Sequence, residues 1–407
     1  MKNLQKYLIL LLLACIPIMS GGWALLTLTA CFLGILNISK IHLTTKNILD
    51  SRPALIIFSG LIQYAIIGIF FGFYHNHNLS YFEAFIPFVL SPLIFHGFVQ
   101  SEPDDNTLWL GVAIAAIMGS MIAVYQAYHL DIGRAFGALK NPIIFGDICI
   151  VFASLSLIGL LSTQHKNCSF LLQMTLILGF ISGVFASLLS GSKGGWLSIF
   201  TTLIIFIWLW LRNRQTVIKI GVLSAALIGI GSLFWLAPTE LVLARLIEGF
   251  HGGVHWFKTG EITEGSVSAR LALWKAGLEM INEHWLLGIS RHGLEAALPA
   301  PLKIYGQLES DLLMALVANG FIGFLSKIYL FISVLFAFTI SKKMNTNHNI
   351  YIPVAGTLLV ILYIEFGLSV DTLGRNAFRH LFVLLTLLIL ALTMKKYSPN
   401  NQNLQQG

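Results

Sequence analysis

Charge is what this sequence has least of. Only 11% of its 407 residues are Asp, Glu, Lys or Arg, against about 25% in an ordinary soluble domain. That scarcity excludes a water-soluble globular protein of this length, and the matching excess of apolar residues excludes a disordered one. Cysteine is scarcer still. Cys15, Cys31, Cys149 and Cys168 lie in or beside apolar runs with neither metal-ligand spacing nor a pairing framework, so they imply no zinc site and no disulfide scaffold and read as apolar filler. Strict apolar–polar alternation over ten-residue stretches is also missing, which excludes a membrane β-barrel. No internal repeat or low-complexity segment occurs. The net charge of +7 is divided between the two ends of the apolar runs, so it reports topology and offers no nucleic-acid footprint.

Apolar residues are there in abundance. They make up 56% of the chain and raise its mean hydropathy to +0.80. A helix needs about 20 apolar residues to cross the hydrocarbon core. Runs of about that length predict spans near 7–20, 23–37, 54–74, 82–100, 108–127, 143–163, 169–189, 195–211, 220–238, 311–341, 351–370 and 380–394. The expected fold is therefore all-α: a polytopic membrane protein of about twelve transmembrane helices. With both termini in the cytoplasm, the inside segments hold Lys2, Lys6, Lys40, Lys46, Arg52, Lys166, Arg212, Arg214, Lys219, Lys342, Lys343, Lys395 and Lys396. The short outside loops hold only Arg134, Lys140, Lys193, Arg375 and Arg379, as the positive-inside rule requires. The acidic inside segment SEPDDNT, 101–107, runs mildly against that rule.

Residues 239–310 form a connection far longer than the rest, and predict one large outside loop. Three regions follow: a transmembrane bundle over 1–238, the loop subdomain over 239–310, and C-terminal helices with a cytoplasmic tail over 311–407. Within the loop, SVSARLALWKAGLEMINEHWLLGI reads as an amphipathic helix with Leu271, Trp274, Leu278 and Ile281 on its apolar stripe and Ser266 or Ser268 as N-cap. The stretch that follows, with Pro299, Pro301 and several glycines, reads as loop.

The outside cations carry the first chemical signal. In SGSKGGWLSIF, residues 190–200, Lys193 sits where the chain turns and begins an inward helix. Glycine-rich backbone at a helix start presents free N–H groups, an anion site before any side chain is added. A turn lysine snorkelling at the interface is the plainer reading. Arg134 and Lys140 in RAFGALKNPIIFGD, Arg270 in the loop, and Arg375 and Arg379 in the last outside turn share that side. Arginine grips phosphate oxygens with two hydrogen bonds, so the group suggests a polyanion, with a lipid-linked diphosphate the natural one at a membrane surface. Lys140 and Arg379 read as interface anchors. Asp147, Lys327 and Glu365 are the ionisable residues within apolar runs.

SGSKGGWL, the loop stretch SARLALWKAGLEMINEHWLLGI, ESDLLMALVANGFIGF and the earlier RAFGALKNPIIFG together resemble the O-antigen ligase and polymerase superfamily, from about residue 134 to 380 and most strongly from 190 to 325. The resemblance implies a metal-independent glycosyltransferase of the Gram-negative inner membrane, active on the periplasmic face and without a cofactor. Its donor is a glycan on undecaprenyl diphosphate. Its acceptor is a sugar hydroxyl, on lipid A–core for a ligase or on a growing glycan for a polymerase. Lys193 stands where the family usually has arginine, and Arg270 matches the loop arginine; both would hold the diphosphate. The family's histidine falls on Glu309, read either as the general base for the acceptor hydroxyl or as a helix cap, with Asp311 as a cap. His292 is an alternative imidazole or a solvated side chain. Arg134, Arg375, His292 and Asp311 complete the expected substrate-binding set. Trp285 and Ser290 depart from the commoner proline and glycine of the family's loop. A transporter is the remote alternative, since no internal repeat supports one.

Overall fold

The computed structural model describes residues 2–164, 169–211, 239–262, 266–344 and 350–395. Among them the regular elements are helices: α1 (Lys2–Cys15), α2 (Gly22–Leu36), α3 (Ile41–Asp50), α4 (Arg52–Tyr74), α5 (Leu79–Ser101), α6 (Asp105–Tyr128), α7 (Pro142–Gln164), α8 (Phe170–Ser190), α9 (Lys193–Leu211), α10 (Thr239–Thr259), α11 (Ser266–His284), α12 (Ser290–Ala297), α13 (Asp311–Met344), α14 (Tyr351–Phe366) and α15 (Asn376–Lys395). α5 is assembled from short pieces around Pro87 and Pro92, each at the start of a new turn, where a missing N–H costs nothing.

Eight of these helices, α4 to α9 with α13 and α15, are long and apolar enough to cross a membrane. Eight of the twelve expected spans are thus met among the described residues. The expected span at 220–238 lies outside the described residues, as do Lys166, Arg212, Arg214, Lys219 and Lys396. α2 and the helix after it meet at a bend of 72° and count at most as one broken span. α1 and α14, with 14 and 16 residues, reach only about 21 to 24 Å, short of a hydrocarbon core of about 30 Å. α1 stops early because Pro17 follows it. α7 and α15 run through the middle of the bundle in a largely apolar core, with Asp147 and Arg379 the buried charges they carry.

The turns placed on one side in the sequence meet at one end of the bundle. The Ala138 amide donates to Pro17 O at 3.1 Å, Arg134 Nε to Ser190 O at 3.0 Å, and His75 Nε2 lies 3.2 Å from Leu287 O. At the other end Lys395 Nζ donates to the carbonyls of Glu102 and Pro103 at 3.2 and 3.1 Å, and Lys6 lies 3.5 Å from Asp104. The acidic SEPDDNT segment thus sits beside lysines of its own end, with its backbone accepting from Lys395 and its Asp104 paired with Lys6.

The long connection differs from its expectation in two ways. α11 turns Leu273 and Ala276 into a small core with Trp274 and Ile281 packed against it, while Leu278 is 58% exposed, so the buried stripe only partly matches the expected one. Small residues let α11 approach its neighbours closely, and Trp274 is only partly covered, its Nε1 donating to Leu308 O at 3.0 Å. SRHGLEAA, expected as loop, is the helix α12: Leu294 and Leu298 bury themselves in the same small core, and that packing outweighs the glycine at 293. Met314, Val317 and Ala318 of α13 belong to this core too, which therefore extends past residue 310.

α13 is broken in the middle. Gly320 has φ 62° and ψ −165°, a conformation open only to glycine. Residues 285–289 of the loop thread into the break: Phe321 N donates to Trp285 O at 2.8 Å, and Ile289 N donates to Val317 O at 2.9 Å. The 321-to-317 hydrogen bond of a continuous helix is replaced by two bonds to the inserted segment. Irregular backbone in a membrane helix survives only when protein satisfies it in this way.

Candidate active site

The α8–α9 turn supplies the first group of residues. α8 ends at Gly191, in a left-handed conformation (φ 64°) that lets its N–H bond back to Ser187 O and Leu188 O. α9 then begins at Lys193. Asp147, on α7 and fully buried, accepts hydrogen bonds from Ser192 Oγ and from the Gly195 amide. One amide of the helix start expected to face an outside anion, that of Gly195, is taken by the protein's own carboxylate. Arg270, on α11, lies within electrostatic reach of Asp147. Lys193 is half-buried, and its Nζ comes to 3.1 Å of where a side chain at Gly249 of α10 would begin. The turn that carries Lys193 and the side chain of Arg270, distant in sequence, therefore converge on one buried carboxylate, with Lys193 Nζ itself lying against α10. Arg134 braces the same turn through the carbonyls of Ser190 and Gly191, at 3.0 and 3.4 Å. Lys140 is exposed.

The turn between α14 and α15, residues 367–375, leads from this group to a second. A side chain at Gly194 would strike Ser369 Oγ, so the two turns touch. Further along, Lys327 Nζ lies 2.9 Å from Asp311 Oδ1 and 3.4 Å from Asp371 Oδ1, all three at most 5% exposed. Thr372 Oγ1 and the Leu373 amide also donate to Asp311. Asp311 was expected as a cap or substrate contact, but its carboxylate is taken up inside the protein. In a straight helix Asp311 and Lys327 would stand about 24 Å apart; the break at Gly320 brings them together. Burial pushes the Asp371 carboxyl up, but Lys327 more than offsets this, and the group ends below the ordinary carboxylate value. Glu365, the remaining ionisable residue of the apolar runs, is held by the hydroxyls of Ser198 and Thr201.

Glu309 lies beside the second group. It has a left-handed backbone (φ 49°), an uncommon state for a residue with a side chain and one that clusters at functional sites. Gln307 Nε2 donates to Glu309 Oε1 at 2.7 Å, Arg291 donates to Gln307 at 3.0 Å, and Arg375 stands 3.8 Å from the same Glu309 oxygen. Glu309 Oε2 is buried and accepts no hydrogen bond from the described residues. No helix amide bonds to this carboxylate among them, so its surroundings are those of a poised acceptor more than of a cap.

A cavity of about 420 Å³ opens on the far side of the same turn. Arg291 and His292 of α12, Tyr81 and Glu83 of α5, His77, Asn319, Lys327, Asp371 and Arg379 line it. The His77 and Tyr81 rings stack at 4.0 Å and 5°. Burial lowers the His77 pKa, and His292, His75 and Arg291 lower it further, so its ring is neutral at neutral pH. Arg379, expected as an interface anchor, is 6% exposed and faces this cavity.

Residues 178–328 match the O-antigen ligase family. The stretch begins in α8 and ends just past Lys327, so it contains Lys193, Arg270, Glu309 and the helix break. It supports the O-antigen ligase and polymerase superfamily that the motifs resemble, and with the apolar helices a multi-pass membrane protein. The chain is also similar to an uncharacterized protein of Haemophilus influenzae, 23% identical over 321 residues, which are 74% of this chain and 75% of the relative. Within the O-antigen ligase stretch, Asp147 and Asp371 have no part, and sequence reasoning gave neither a role. The signal for Asp147 was its place in an apolar run, where an ionisable residue is functional by default. Arg291 and Gln307 carried no such signal.

Proposed function

We propose that the chain is an O-antigen ligase-like glycosyltransferase that moves a glycan from undecaprenyl diphosphate to a sugar hydroxyl of lipid A–core, on the periplasmic face of a bacterial inner membrane. The observation that carries this reading is the convergence of the Lys193 turn and Arg270 on Asp147, which takes the Ser192 hydroxyl and the Gly195 amide. Lys193 and Arg270 supply the positive charge that a diphosphate needs. In the reaction the acceptor oxygen bonds to the anomeric carbon, the bond from that carbon to the diphosphate oxygen breaks, and the acceptor proton passes to Glu309. Lys193 and Arg270 stabilise the charge building on the departing diphosphate. One in-line displacement inverts the anomeric centre. Arg375 and Gln307 hold the Glu309 carboxylate in place.

Complementation of a deletion strain tests it, read as surface polysaccharide on a gel. Arg270→Ala and Lys193→Ala are expected to lower transfer by roughly 10²- to 10³-fold, the effect of removing one charge-stabilising donor, and to leave lipid-linked chains accumulating. Lys193→Arg, which restores the family's usual residue, is expected to restore capped lipopolysaccharide. Normal capping by both alanine variants would sink the diphosphate site, and a deletion strain that keeps a single-repeat rung would make the protein the polymerase instead. Orientation is tested separately. A cysteine at Gly260, at the exposed end of α10, is expected to react with an impermeant maleimide in intact spheroplasts; labelling only after lysis would reverse the topology.

A further inference from the structure

Resting on that transfer reading, we infer that the cavity beside Arg379 is the acceptor pocket, which holds a pyranose of the acceptor glycan apart from the diphosphate grip. Its volume of about 420 Å³ falls in the range of small-molecule sites. It runs from a wet rim, where the His292 side chain is 66% exposed, to a floor at Lys327, 4% exposed.

The lining suits sugar hydroxyls better than a diphosphate. Lys327, Arg291 and Arg379 face Asp371 and Glu83, with Asp311 directly behind Lys327, so cations and carboxylates balance. Each cation is already engaged: Lys327 by two aspartates, Arg291 by Gln307, Arg379 by Gly374 O at 2.7 Å. A doubly charged group would meet no surplus positive charge there, and two lining carboxylates would oppose it. Hydroxyls, which donate and accept, match donors and acceptors placed side by side. Two buried atoms in the lining lack partners among the described residues, Arg379 Nε and His77 Nε2. Such groups are rare in folded proteins unless a ligand or water completes them. The flat His77–Tyr81 stack adds a ring surface for an apolar sugar face.

Position favours the acceptor over the donor's glycan. The acceptor hydroxyl must come within reach of the base. Arg291 lines the cavity and, through Gln307, touches Glu309. Lys193 and Arg270 lie at the other end of the 367–375 turn, reached through Ser369 and Gly194. The acceptor hydroxyl, within reach of Glu309, and the departing diphosphate would then lie on opposite sides of the anomeric carbon, as an in-line displacement requires.

The test uses the full chain in lipid nanodiscs with lipid A–core oligosaccharide as probe. Kinetics are measured at varied oligosaccharide and varied donor, and oligosaccharide binding without donor is measured by calorimetry. Tyr81→Ala and Arg379→Gln are expected to raise the acceptor KM at least tenfold, to leave the donor KM within twofold, and to weaken calorimetric binding in step. Tyr81 is only half-buried, so its variant reads the pocket if the deeply buried Arg379 proves essential for folding. A raised donor KM with an unchanged acceptor KM would assign the cavity to the donor glycan and overturn the inference, as would oligosaccharide binding unchanged in both variants. If the wild type makes no product, the transfer reading falls, and the calorimetric arm still decides the pocket.

Discussion

Gly320→Ala is expected to yield little or no folded protein. A Cβ at that position would stand 2.2 Å from both the carbonyl carbon and the carbonyl oxygen of Leu286, which are backbone atoms and cannot rotate away. The conformation itself, φ 62° and ψ −165°, is essentially closed to residues with a side chain. Relief would expel residues 285–289 from the break; α13 could then close on its own 321-to-317 bond, but Trp285 O and Ile289 N would lose their partners, at about 1 to 3 kcal/mol for each group left unsatisfied. It would also separate Lys327 from Asp311 and leave buried charges alone, a loss of about 3 to 5 kcal/mol. Gly260 is the control. It also has a positive φ, 73°, but nothing lies within 4 Å of a Cβ there, so Gly260→Ala should cost only about 1 to 2 kcal/mol. The measurement is the yield of monodisperse protein in detergent together with its Tm. A Gly320→Ala protein as stable as the Gly260→Ala control would show that the inserted loop does not depend on the break.

Glu309→Gln is expected to lower transfer by roughly 10²- to 10⁴-fold, the range of general-base catalysis, while the protein keeps its Tm. The amide preserves size and most hydrogen bonding but cannot accept the acceptor's proton. A cap would behave otherwise: glutamine would cost a fraction of a kcal/mol and leave the rate near normal. The carboxylate's actual partners, Gln307 and Arg375, favour the first outcome. Glu309→His sharpens the test, since partial activity should return with a pH dependence set by an imidazole. Transfer by purified, concentration-matched variants is the readout. A glutamine variant within a few-fold of wild type would remove Glu309 as an essential base and direct attention to His292, whose side chain lies 3.9 Å from Glu295 at the cavity rim.

Part of the site was legible in the sequence. Lys193 stood out as a cation between glycines at the mouth of an apolar hairpin, on the side where the orientation rule disfavours positive charge, and Arg270 because the loop motif around it resembles a family. Glu309 stood out by replacing the family's histidine. What the sequence left unseen concerned the helix start beside Lys193, where Asp147 takes the Gly195 amide. An N-terminus with free amides looks the same in sequence whether an outside anion or an inside carboxylate fills it, and Asp147 lies far from Lys193 along the chain, on a different helix. The α12 helix was missed for a similar reason: its Gly293 and flanking prolines are local signals for loop, while the contacts of Leu294 and Leu298 that order it are tertiary.

By itself the sequence determined the solvent of each segment. Transfer from water is a sum over neighbouring residues, so runs of apolar side chains are enough to call for membrane helices, and the distribution of lysine and arginine is enough to propose which way they face. The tertiary structure alone decided which charges meet. Asp311 and Lys327 pair only because α13 breaks at Gly320, and it breaks only because a loop some thirty residues upstream enters the gap and supplies the missing hydrogen bonds. Such pairing depends on angstrom distances between segments remote in the chain, a quantity that no local pattern of residues encodes.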